Sequence, residues 1–493
     1  MTSNLAVDVS EQKQTSNIQS IPHITFSTPD IPGPAAELTN EHQSITDISS
    51  SASSISSRDP FSVPPPYQSD IKPRPPLRGR SSTWASYAST QINEPLLKSE
   101  NPDTPEGIEK PWLSKREPLA KTGRALTISI IVFGALLSVL HCYLGYKKIN
   151  FVGNVCLIMD EDFSNGLDHS RWQANINMGG FGNGEFEMTT TSSDNIYIED
   201  SILYLVPTLT SDEIGNSSIF NGYMYNVTGC TSNNVTECGA VSNSTLQTVI
   251  NPVKSARIST VNSTSLKYGR VEVVARIPEG DWLWPAIWML PKDNVYGAWP
   301  ISGEIDIMES RGNNASYPMQ GRDYVRSSLN WGPTTFINSV GKTYGWHRQR
   351  RGTFADEFHT YTLEWTDKFI RTYVDNRNKM MFEINLNEPF FKRGDYPATA
   401  MNGSAEIMIT NPWQYAGNNA APFDQEFYLI LNVAVGGTNG WFPDGYGDKP
   451  WLNTETNAMY DFAKAQDAWY STWPSDKNKR GMAVSSVKMW QKC

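Results

Sequence analysis

An all-β sandwich, carried behind a polar tail and one membrane-spanning helix, is the architecture this sequence predicts. Three observations carry it. From Asp160 onward, short runs of alternating apolar and polar residues (270–277, 360–365, 427–435) are separated by clusters of Gly, Asn, Asp and Pro, and no long helical period interrupts them. Residues 125–144 read ALTISIIVFGALLSVLHCYL, without a formal charge. Residues 1–124 show no sustained apolar period at all.

The tail comes first. Its serine-rich run 44–54 and its proline-rich stretch from Pro64 to Pro76 cannot bury enough apolar surface to offset the entropy of ordering, so residues 1–124 are expected to be a disordered cytosolic segment. Within it Pro64, Pro65 and Tyr67 fit the Pro-Pro-x-Tyr ligand of WW domains, which read a preformed polyproline helix. The formal net charge of −10 argues against nucleic acid as a partner, because binding it needs a basic footprint.

The apolar run at 125–144 has the length that crosses about 30 Å of hydrocarbon as a helix. It lies too far inside the chain for a cleaved signal peptide, which predicts a signal-anchor. Lys110, Lys115, Arg116, Lys121 and Arg124 precede it and only Lys147 and Lys148 closely follow, so the tail is expected in the cytosol and residues 151–493 on the lumenal or extracellular side. Asn-x-Ser/Thr sequons stand at Asn216, Asn226, Asn234, Asn243, Asn262, Asn314 and Asn402, all after the apolar run. Cysteine usage points the same way. Cys142 sits in the apolar run, which leaves four cysteines for an oxidising compartment. Four allow three pairings; Cys230 with Cys238 and Cys156 with Cys493 is the expected one, a short loop and a staple between the first and last strands. Residues 206–250, with four of the sequons and two of the cysteines, read as a long glycosylated insertion.

Chemistry is written in Ser302-Gly303-Glu304-Ile305-Asp306-Ile307-Met308-Glu309. Carboxylates alternate with large aliphatic residues, the period of a strand with one buried face. Glu304 and Asp306 then share a face. Glu309 lies an odd number of positions further on and returns to that face only if a β-bulge adds a residue near Ile307-Met308. A helix does worse, since positions five apart sit about 140° apart around its axis. Three carboxylates aligned in this way fit retaining glycoside hydrolysis, whose nucleophile and acid/base stand about 5–5.5 Å apart. The same alternation occurs on ordinary half-exposed strands, so the neighbouring segments decide.

Those segments are Tyr268-Gly269-Arg270-Val271-Glu272-Val273, Leu283-Trp284-Pro285-Ala286-Ile287-Trp288-Met289-Leu290-Pro291, Trp299-Pro300, Phe358-His359-Thr360-Tyr361-Thr362-Leu363-Glu364-Trp365, and Phe427-Tyr428-Leu429-Ile430-Leu431-Asn432-Val433-Ala434-Val435-Gly436-Gly437. In this order, and with the bulged Glu-x-Asp-x-x-Glu strand, the chain from about 155 to 492 resembles glycoside hydrolase family 16 in its laminarinase-like, endo-1,3-β-glucanase branch. The layout as a whole resembles that of fungal type II membrane-anchored proteins. The resemblance implies a β-jelly roll (concanavalin A-like) with a sugar-binding cleft on its concave face. It also implies that Glu304 is the nucleophile, Glu309 the acid/base and Asp306 the residue that tunes the pair. Asn183, Arg257, Trp284, Trp288, Trp299, Asn330 and Trp331 become the substrate-binding candidates, with core packing the alternative for Trp284.

Two departures matter. Asn330-Trp331-Gly332-Pro333 stands where the family often has His-Trp-Gly-Pro, and Asn can donate to a hydroxyl but cannot carry a proton. Ser in Val484-Ser485-Ser486-Val487 stands where many relatives place a calcium-binding Asp, so no tight metal site and no cofactor are expected. The implied activity is hydrolysis of, or glycosyl transfer on, β-1,3-glucan. The alternatives are a β-1,6-glucan assembly factor of the type II layout and a non-catalytic β-glucan-binding receptor.

Overall fold

The structure is a computed structural model and describes residues 118–493. The expectations for the tail, including the motif at Pro64, Pro65 and Tyr67, lie outside the described residues. Helix α1 (Ala120–Lys148) contains the apolar run, and none of its residues is buried. At 1.5 Å per residue it extends roughly 43 Å, long enough to cross a bilayer.

The rest of the chain builds two eight-stranded antiparallel sheets packed face to face. The first contains β1 (Gln173–Ala174), β2 (Arg257–Ser259), β3 (Leu283–Pro291), β4 (Glu304–Glu309), β5 (Tyr324–Asn330), β6 (Tyr344–Arg348) and β7 (Phe427–Val435), in the spatial order β6-β5-β4-β3-β7-β2-β1, with Ser265–Leu266 also paired to β7. The second runs Met380–Asn385, Phe369–Val374, His359–Trp365, Gly269–Arg276, Met482–Lys492, Ile202–Leu205, Ile196–Glu199, and Val155–Glu161 adds to Met482–Lys492.

Alternation explains how the two sheets meet. Every second residue of Gly269–Arg276 is buried and the rest are half-buried, so one face of that strand enters the core. Ile287, Met289, Ile305, Ile307 and Leu329 of the first sheet meet a core that includes Val271, Val273, Leu363, Val484 and Val487 of the second, all wholly buried. Each such side chain contributes about 1.5–3 kcal/mol by leaving water. The opposite face of the first sheet is thereby left free for chemistry.

Both expected disulfides form. Cys156–Cys493 ties the strand Val155–Glu161 to the C-terminal strand beside it, and Cys230–Cys238 closes a short loop. The insertion at 206–250 is ordered rather than a bare loop. It holds the short helices Ser211–Ile214 and Asn216–Phe220 and a hairpin of Met224–Asn226 with Gly239–Val241. Ile219, Val249 and Ile250 pack there with Met178, Met188 and Ala463 into a small second core. The Thr231 hydroxyl accepts from the Ile176 amide at 2.8 Å, so the insertion braces the segment that leads to Asn183.

Candidate active site

Strand β4 lies between β3 and β5, and its register carries the bulge that the carboxylate spacing demands. Against β3, Trp288 faces Asp306 but Ile287 faces Met308, which leaves Ile307 as the extra residue. Against β5, Asp306 faces Ser328 and Glu309 faces Arg326. Ile307 and Met308 are both wholly buried, so two successive side chains enter the core and Glu309 turns back to the face of Glu304 and Asp306. Gly303 sets up the entry: its φ is 83°, and a Cβ there would stand 2.9 Å from the Phe423 ring.

All three carboxyl groups line a cleft of about 470 Å³. Asn330 on β5 donates through one amide nitrogen to Glu304 Oε1 at 2.9 Å and to Asp306 Oδ2 at 2.8 Å. Its own oxygen accepts from Asn338 Nδ2 at 2.7 Å, which fixes which way the amide points. Ser328 Oγ donates to Asp306 Oδ2 at 2.5 Å, and Trp299 Nε1 to Glu304 Oε2 at 2.8 Å. Glu309 Oε1 accepts from Trp284 Nε1 at 3.0 Å.

Burial dominates the electrostatics. It pushes Glu304 up to about 7, and the charge of Glu309 adds to that, while hydrogen bonds from Asp306 and Trp299 and the charge of Arg257 pull it down. Burial and then the charge of Asp306 push Glu309 up to about 8. Asp306 is held well above the usual carboxylate range by burial first and by Glu304 second. The hydrogen bond between Asp306 and Glu304 favours the proton on Asp306, so it favours ionised Glu304. The constellation can therefore present one carboxylate and, at Glu309, one carboxylic acid near neutral pH.

Arg257 on β2, Trp284 and Trp288 on β3, Trp299 and Asn183 all line the same cleft. The Arg257 guanidinium lies 4.1 Å from the centre of the Phe181 ring and 4.7 Å from that of Trp288. Trp288 Nε1 donates to Asn432 at 2.7 Å, and Asn183 donates to the buried Glu185 at 2.8 Å. Trp284 is buried yet lines the cleft, with its ring stacked on Trp441 at 4.9 Å and its nitrogen donating to Glu309. Trp331 is a correction. It is wholly buried, with Phe390, Tyr396 and Trp413 around its ring and Thr343 Oγ1 accepting its N–H at 2.7 Å, so it cannot stack on a sugar. Sequence reasoning missed Phe181, Glu185, Tyr428 and Asn432, which also line the cleft, and Arg326 and Trp441 beside Glu309. Asn432 left a trace, a polar residue inside an otherwise apolar strand.

A sandwich of two antiparallel sheets with a bulged acidic strand along an open cleft is the architecture of a family of glycosidases. The family described as glycosyl hydrolases family 16 matches residues 224–422. A β-1,3-glucan-binding protein of Penaeus monodon is 40% identical over 348 residues, which cover 68% of this chain and 90% of that relative. The chain belongs to glycosyl hydrolase family 16. Glucan endo-1,3-beta-glucosidase A1 of Niallia circulans is 32% identical over 298 residues, 58% of this chain and 34% of that longer protein. The solved structure of the laminarinase from Rhodothermus marinus is 24% identical, covers 69% of this chain and 98% of its own, and superposes with a TM-score of 0.43.

Proposed function

We propose that this protein is a retaining glycosidase that acts on β-1,3-linked glucan, by hydrolysis or by transfer to another sugar. The observation that carries this is the bulge at Ile307, which turns Glu309 onto the face of Glu304. In the proposed reaction ionised Glu304 attacks the anomeric carbon as Glu309 protonates the departing glycosidic oxygen. A glycosyl–Glu304 ester results. Glu309, now a carboxylate, then takes a proton from water or from a sugar hydroxyl as that oxygen bonds the anomeric carbon and the ester breaks. Asp306 keeps its proton and steers Glu304 toward ionisation, and Asn330 positions both without carrying a proton.

The glucan assignment draws on relatives named for binding or cleaving β-1,3-glucan. The membrane assignment draws on the length and composition of α1, the basic residues before it and the sequons after it. We place the sandwich on the lumenal or extracellular side of a type II protein, which also suits its two disulfides.

Glu304→Gln is expected to lower turnover of a β-1,3-glucan by at least about a thousandfold while leaving oligosaccharide affinity nearly unchanged. Glu309→Ala should still form the ester from a substrate with an activated leaving group, then stall, and added azide should restore turnover as a β-glycosyl azide. Wild-type turnover that survives Glu304→Gln would remove that residue from the mechanism.

A second reading, glucan binding without turnover, is favoured by the names of the Penaeus and Galleria relatives. Incubation of the protein with β-1,3-, β-1,6- and mixed-linkage oligosaccharides separates the two, because a receptor leaves every substrate intact. Cleavage confined to β-1,6 links would favour the assembly-factor alternative instead.

A further inference from the structure

The cleft wall does not end at the carboxylates. On β5 and β6, residues paired across the strands share a face, so the row Glu309–Arg326 continues to Trp346 and the row Asp306–Ser328 continues to Tyr344. Tyr344 and Trp346 flank Gly345, and a Cβ on Gly345 would lie 2.0 Å from the Met381 carbonyl oxygen. Gly345 therefore presses against the second sheet, and alternation sends its two aromatic neighbours outward. Their rings stack at 5.9 Å with an interplanar angle of 26°, and Trp346 is 42% exposed.

A continuous wall joins this pair to the acid. Trp284, which donates to Glu309, stacks on Trp441; the Arg326 guanidinium lies 5.7 Å from the Trp441 ring centre and 4.4 Å from that of Tyr344; Tyr344 stacks on Trp346. Arg257, Trp288 and Trp299 line the enclosed part of the cleft, which receives no residue from β5 or β6. From β4 to β6 is two strand spacings, roughly 10 Å, a span for sugar units beyond the scissile bond.

We propose that Tyr344 and Trp346 form a second binding platform, which takes the glucosyl units on the leaving-group or acceptor side of a β-glucan chain. The proposal rests on the function stated above and assigns that site its other half. The flat faces of pyranose rings present C–H groups to aromatic rings, and an exposed stacked pair held by a guanidinium offers such a surface without cost of rearrangement.

The test uses the full-length Glu304→Gln protein, so that sugars bind without being consumed, and compares a linear β-1,3-glucan hexasaccharide with the trisaccharide by calorimetry. Adding Trp346→Ala should weaken the hexasaccharide about tenfold, a usual cost for an aromatic anchor, and leave the trisaccharide within about twofold. Trp346→Phe should recover most of the loss. Equal affinities for the hexasaccharide with and without Trp346 would overturn the platform alone, as would a parallel loss for both sugars. A length-selective loss in a protein whose wild type cleaves nothing would keep the platform and sink catalysis. If neither sugar binds the Glu304→Gln protein, both proposals fail.

Discussion

Asn330 holds Glu304 and Asp306, and the order of proton affinity between Glu304 and Glu309 sets a pH window. Glu304 must be ionised to attack and Glu309 protonated to assist, with values near 7 and near 8 respectively. As the pH falls through about 7, Glu304 takes up its proton and the rate drops. As it rises through about 8, Glu309 loses its proton and the rate drops again. The profile of kcat/KM should be a narrow bell between these limbs, which belong to the coupled pair rather than to either residue alone. A profile that stays flat from pH 5 to 9 would contradict this arrangement. The three acids were legible in the sequence because a period of two and one odd spacing leave few solutions. Trp331 was misassigned, although the same period carried the warning: Asn330 and Trp331 are adjacent, and adjacent residues of an extended chain face opposite ways. Arg326 and Trp441 were invisible because their place beside Glu309 depends on strand register and on a distant loop, neither of which composition encodes.

The bulge on β4 is the element that converts a common pattern into a site. Its extra residue, Ile307, is wholly buried, so its side chain and its backbone position can be tested apart. Ile307→Ala keeps the bulge and loses packing; it should cost about 2–5 kcal/mol of stability, read by chemical denaturation, with kcat on the folded fraction within a few-fold of wild type. Deleting Ile307 removes the bulge but leaves Glu309 an even four positions after Glu304, so a regular strand keeps it on the acidic face. That variant should keep measurable turnover, and a complete loss of it with circular dichroism unchanged would mean that the bulge sets the separation of the two glutamates as well as their shared face. The strands themselves were readable from alternation. What the sequence did not disclose is the ordered insertion at 206–250, whose short helices and hairpin hold together through a satellite core contributed partly by Met178, Met188 and Ala463 elsewhere in the chain.

At the level of the whole molecule, the sandwich separates stability from chemistry, because the staple lies on one sheet and the cleft on the other. Cys156–Cys493 links residues 337 apart in sequence, and closing so long a loop restricts the unfolded chain strongly. Replacing both cysteines by Ser should cost roughly 2–5 kcal/mol and lower Tm by several degrees, with kcat at 25 °C unchanged. A large fall in kcat without a fall in Tm would show that the staple shapes the cleft. The central claim is that Glu304 and Glu309, brought to one face by a bulge, work by double displacement through a covalent ester. Proton NMR of the first-formed product of β-1,3-glucan cleavage tests it most directly. The account predicts the β-anomer, which later equilibrates with the α form; an initial α-anomer would mean single displacement by water and would contradict it.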